Sequence, residues 1–208
     1  MGIADTSIAA TAAVFSGVAA FAAWKTATEA NRTATSVAQI ERDRWHTEMT
    51  PNVGLALTNE RGRPELLVRF DGPAPLRAID GLELSIRDDR DRSNDQTLAG
   101  GATREERART IWGPFRLSPH IDGADELGRS AEAFSLTHGE QRRFALERSL
   151  PPRWYEGAEG ARRWEFEFQN HAPLRVWVVC QVEGHKPWKL TANLITSGMA
   201  PPEWIRAH

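Results

Sequence analysis

From Pro51 onward, apolar residues recur at every second position, and that period leaves few folds open. Val53, Leu55 and Leu57 alternate with small or polar neighbours, as do Leu66, Val68 and Phe70, and Leu82, Leu84 and Ile86. The pattern returns at Phe134 and Leu136, at Phe144 and Leu146, and at Trp164, Phe166 and Phe168. It closes with Val176, Val178, Cys180 and Val182, then Trp188, Leu190, Ala192 and Leu194. Side chains of a strand point alternately to opposite faces, so each run predicts a short strand with one buried face. Turn signals such as DGPAP at 71–75 and RDDRDRSND at 87–95 separate the runs. Such a series predicts an antiparallel β-sandwich, immunoglobulin-like or related, over residues 50–196, with 197–208 as a C-terminal tail. One interruption reads as helical, because Thr103 followed by Glu106 forms a capping box.

Residues 1–49 obey a different rule: they are rich in Ala and contain no Pro. Between Asp5 and Lys25 the nineteen residues 6–24 carry no charge. As a helix they rise about 28 Å, close to the roughly 30 Å hydrocarbon core of a bilayer. Eight are Ala and four are Ser or Thr, so the run is only weakly apolar. Ile8, Val14, Phe15, Val18 and Phe21 fall on one stripe. A small-residue stripe of Ala9, Ala13, Ser16, Gly17 and Ala20 lies opposite. Small residues spaced by four let helix backbones approach closely in lipid, which makes this stripe a candidate helix-association face. A soluble helix packed on a core would need a polar opposite face, which is missing, so a membrane anchor is the expectation. No basic segment precedes the run, which argues against a cleaved signal peptide.

After Lys25 the chain predicts a polar helical stalk. Ala27, Ala30, Ala34 and Val37 start a heptad-like seam that fails at Glu41 and Arg44. Lys25, Arg32, Arg42 and Arg44 lie on this side of the uncharged run, and none precedes it. The expectation is therefore a single-pass inner-membrane protein with its sandwich in the cytoplasm.

Composition bounds the function. A chain of 208 residues with 40% hydrophobic and 26% charged residues is globular rather than disordered. The net charge of -2 supplies no basic field for a nucleic-acid partner. The single cysteine, Cys180, excludes an intrachain disulfide and with it the inter-sheet bridge of antibody domains. Eight Trp with one Tyr, and Arg and Ala in preference to Lys, fit a GC-rich bacterial genome.

No motif assigns chemistry. GADELGRS at 123–130 approaches a phosphate loop, but Asp125 and Glu126 would put negative charge inside the cradle. Asp89, Asp91 and Asp95 are spaced like a calcium loop that lacks its Gly and its bidentate Glu. His120, Asp122 and Asp125 read as a turn. Cys180 shares parity with core valines, so Cys180, His171 and His185 do not make a zinc set. Without an exposed thiol or a G-x-S-x-G elbow, nucleophilic catalysis has no candidate, and no cofactor is expected. Trp112, Trp154 and Trp177 are the residues left over. Two of them sit beside prolines and one lies opposite a core face, so together they form a candidate platform for a peptide or glycan.

The Ala-rich N-terminal run, the polar helix and the strings DGPAPLRAIDGLELSIRDD, IWGPFRL and CQVEGHKPWKL resemble uncharacterised membrane-anchored proteins of actinobacteria. That resemblance implies an anchored architecture and carries over no functional residue. The expected function is a non-enzymatic, membrane-anchored interaction or scaffold protein with an unidentified protein partner, self-associating through its anchor. The rivals are a soluble or peripheral ligand-binding sandwich and a soluble oligomeric assembly subunit.

Overall fold

The structure, a computed structural model, describes residues 24–60, 62–86, 101–170, 172–196 and 202–208, and the helical backbone of 3–23. The chain divides into two compact units, Met1–Glu48 and Met49–His208.

The first unit is one helix, α1 (Ile3–Glu48). From Trp24 on, nearly every side chain is exposed, including Trp24, Val37, Ile40 and Trp45. This is the polar helix expected after Lys25. Hydroxyls of Thr28, Thr33 and Thr35 donate to carbonyls four residues back at 2.8, 3.0 and 2.8 Å. Arg44 pairs with Glu48 at 2.9 Å, one turn on. Among the described residues no helix is long and apolar enough to cross a membrane. Apart from Trp24, the uncharged run, with its association face Ala9, Ala13, Ser16, Gly17 and Ala20, lies outside the residues whose side chains are described.

The second unit is a sandwich of two antiparallel sheets. Its strands are β1 (Val53–Glu60), β2 (Arg63–Phe70), β3 (Ala78–Ile86), β4 (Phe115–Leu117) and β5 (Ser130–Thr137). They continue with β6 (Gln141–Arg148), β7 (Leu174–Gln181), β8 (Trp188–Leu194) and β9 (Ile205–Arg206). One sheet has the order β4-β6-β2-β1-β9 and the other β5-β3-β7-β8. The predicted parity holds: Val53, Leu55, Val68, Phe70, Leu82, Leu84, Phe144, Val176, Val178 and Cys180 fill one buried core between the sheets. Each such aliphatic or aromatic side chain contributes about 1.5–3 kcal/mol on burial.

Local rules set the edges. In the β5–β6 hairpin, Gly139 takes φ +82°, a left-handed conformation open to glycine. The Glu140 carboxylate accepts from the Thr137 amide and hydroxyl, both at 2.9 Å, and fixes the turn. The capping box forms as predicted and opens α2 (Arg104–Arg109).

Three features differ from the sequence expectation. Trp164, Phe166 and Phe168 are not a strand: α3 (Gly157–Trp164) runs into a π-helix, Glu165–Asn170. The three-residue β4 is too short to show a period. The segment read as a tail ends in β9, which pairs with β1 through Gly54–Arg206 and Leu55–Ile205. Beyond it, the backbones of His208 and Thr191 exchange hydrogen bonds of 2.6 and 2.9 Å, and the Ala207 amide donates to Val53 at 3.0 Å. The chain end thus joins the edge of one sheet to the edge of the other.

Candidate functional site

Two segments outside the strands meet near β4 and β6. Residues 101–114 carry α2 and lead into β4. Residues 149–170 follow β6 and carry a 3-10 turn (Arg153–Tyr155), α3 and the π-helix. Ser149 ties them together: its amide donates to the Pro114 carbonyl at 3.2 Å and its hydroxyl to the Gly113 carbonyl. Gln169 donates to the Ser149 carbonyl at 2.7 Å, and Arg148 to the Gln169 carbonyl at 3.0 Å. Arg153 pairs with Glu106 at 2.7 Å.

Between the segments lies an aromatic cluster separate from the sandwich core. Trp112 is its hub, with ring centroids 5.3 Å from Phe168, 5.6 Å from Trp164 and 6.4 Å from Trp154. Trp164 lies 4.5 Å from Phe168, and Tyr155 meets Trp164 edge-on at 5.3 Å. Tilted and edge-on contacts of this kind add about 0.5–1.5 kcal/mol per pair beyond area burial. π-helical turns are rare and recur at functional sites, which sets this segment apart from an ordinary connection.

Beside the cluster an open cleft of about 310 Å³ is lined by Ile111, Leu150, Pro151, Pro152 and Trp154 on its apolar side. Arg109, Arg116, Arg153 and Glu106 supply the charge. Glu106 is committed: the Thr103 amide at 2.8 Å, with the Thr103 hydroxyl and Arg153, holds its carboxyl below the ordinary value. Arg116 is matched by Glu147 at 2.6 Å. Arg109, in the last turn of α2, has no ion-pair partner among the described residues. The cleft therefore presents an apolar wall under a net positive rim.

Two other clefts are less suited to a ligand. One of about 590 Å³ beside β2 and β6 is lined by Glu65 and Glu147, which already pair with Arg143 and Arg116, and by Arg148, which already donates to the Gln169 carbonyl. Another, of about 500 Å³, holds Asp80, Glu183 and His185, but Asp80 already accepts from the Glu183 amide at 2.8 Å to brace a turn.

Of the sequence candidates, Trp112 and Trp154 come together in the cluster, while Trp177 stands on β7 of the other sheet, between Ser85 and Thr191. Asp122 accepts from the Ala145 amide at 2.8 Å. Asp125 accepts from the Arg129 amide at 2.7 Å and from the Ser130 hydroxyl at 2.7 Å, so both carboxylates hold loops. Cys180 is buried in the core. Asp89, Asp91, Asp95 and His171 lie outside the described residues. Among the described residues no group of three His, Cys, Asp or Glu side chains is placed to hold a metal ion. Sequence reasoning missed Arg109, Arg153, Tyr155 and Phe168. The signal available was the i, i+4 pair Trp164 and Phe168, which fits a helix as well as a strand.

Comparisons of the chain with protein-family models, with curated proteins and with solved structures give no match.

Proposed function

We propose that this chain is a non-enzymatic interaction module whose recognition site is the arginine-rimmed cleft beside Trp112 and Trp154. The observation that carries the reading is the convergence of two non-strand segments on one aromatic hub with an open cleft at its side. The sandwich, read as immunoglobulin-related on its two antiparallel layers, serves as the scaffold. At about 310 Å³ the cleft is at the small end of ligand sites, suited to one or two side chains of an extended segment. Pro151, Pro152 and Leu150 offer an apolar edge to such a segment, which favours a peptide over a glycan.

Attachment to the bacterial inner membrane, with the sandwich in the cytoplasm, is the companion proposal. Its support is the uncharged length of residues 6–24 and the basic residues that follow. Pairing through Ala9, Ala13 and Gly17 would gather several clefts on one surface and raise their avidity.

Intrinsic tryptophan fluorescence tests the cleft. Linear peptides should perturb the emission, and Trp154→Ala should remove the response. Silence across peptides and sugars alike would leave the reading without a ligand. Carbonate washing tests attachment, because a spanning anchor stays in the membrane pellet and a peripheral helix is released.

A further inference from the structure

We infer that the cleft takes an extended acidic peptide, in which a carboxylate pairs with Arg109 while a neighbouring apolar side chain lies against Leu150, Pro152 and Trp154. This rests on the reading of the cleft as a peptide site and specifies what kind of peptide it holds.

Charge bookkeeping at the rim carries the inference. Three arginines and one carboxylate line the cleft. Glu147 neutralises Arg116 from outside it, and Glu106 is already held by Thr103 and Arg153. The charge left to a ligand is that of Arg109, exposed in the last turn of α2. A guanidinium matches a carboxylate in a fork of two parallel hydrogen bonds, so the match is geometric as well as electrostatic. Arg153 is committed to Glu106 at 2.7 Å and serves to keep that carboxylate from competing for Arg109.

The apolar wall favours an occupant that carries an apolar group beside its charge. Leu150 is 62% exposed at the lip of the cleft, and burying it rewards a ligand that carries its own apolar group. Nucleic acid would need a track of cations to follow its backbone, whereas here the arginines surround a single small cleft on a chain of net charge -2.

A display library of random linear peptides, selected against the full chain, decides the matter. The expected pool is enriched in Asp and Glu next to an apolar residue, and its binding falls as ionic strength rises. Arg109→Glu should weaken those peptides roughly tenfold to a hundredfold, as expected for losing a charge-assisted contact, while Arg109→Lys retains part of the affinity. Arg109 is an exposed helix residue, so both variants should fold. A pool of neutral or basic peptides that still depends on Trp154 would overturn the acidic specificity and leave the peptide cleft standing. A pool indifferent to Trp154→Ala, or no enrichment at all, would overturn both. If homopolymer RNA or anionic vesicles bound with the same Arg109 dependence and acidic peptides did not, the peptide occupant would be wrong.

Discussion

The guanidinium of Arg69, on β2, lies 4.0 Å from the centroid of the Trp204 ring. The same guanidinium holds Asp71 through two hydrogen bonds of 2.7 and 3.1 Å. A Cβ on Gly54 would come within 3.1 Å of the Trp204 ring and 3.2 Å of the Asp71 carboxylate. Trp204 therefore covers a glycine of β1 and is clamped from β2, just before the chain enters β9. This arrangement pins the chain end that links the two sheets.

Trp204→Ala should cost about 2 kcal/mol, since it removes a cation–π contact and a large packed ring. The amides of Ala207 and His208 should exchange faster, because their bonds to Val53 and Thr191 are no longer held in register. Urea unfolding together with hydrogen exchange reads both effects. Unchanged exchange at the chain end would mean that Trp204 does not anchor it.

The hub of the aromatic cluster should be structural and its rim functional. Trp112→Ala removes the ring that contacts Phe168, Trp164 and Trp154 and should cost about 3 kcal/mol in thermal or denaturant unfolding. Trp154 is half-buried at the cleft and touches Trp112 alone among these rings, so Trp154→Ala should cost about 1 kcal/mol. Equal losses at the two positions would remove the distinction between hub and rim.

Asp125 should make the fold acid-sensitive. Burial pushes its carboxyl up, but donors from Ser130, Arg129 and Gly128 outweigh that effect and hold it below the ordinary value. A depressed carboxyl contributes stability above its unfolded value, about 3.9, and loses it as pH falls through the folded one. The melting temperature should therefore drop on acidification in this region. Asp125→Asn should be less stable at neutral pH and show a shallower acid decline. A parallel decline in the two proteins would show that other carboxylates set the acid limit.

Strand parity carried most of the sandwich, because a two-residue period with one wet face has few other solutions. It failed at residues 164–168 for a reason visible in the side chains. Positions i and i+4 share a side in both a strand and a helical turn, so Trp164 and Phe168 fit either form. Phe166 decides the matter, since it is 64% exposed where a strand in that register would have buried it. Strands of two or three residues, such as β9 and β4, carry no period to read. The cleft was half visible: Pro-flanked Trp112 and Trp154 stood out as candidates. Arg109 became relevant only when folding set α2 against the segment after β6, which no local pattern encodes.

Cys180 offers a test on the alkaline side. Its thiol is fully buried on β7, paired across the ladders with Leu82 and Trp188, and burial pushes its pKa up to about 12. In the unfolded chain a thiol titrates near 8.5. The protonated thiol therefore contributes stability in full below about 8.5, and that contribution is lost as pH rises toward the folded value. Cys180→Ala should cost about 1–2 kcal/mol at neutral pH, from the small cavity it leaves between the sheets. The variant should also decline less steeply than the parent in alkali, and the two unfolding curves should converge as pH rises. In the native parent, a thiol-specific aromatic disulfide should react only after denaturant is added, since a buried protonated thiol is neither accessible nor nucleophilic. Rapid reaction in the native state would place Cys180 outside the core.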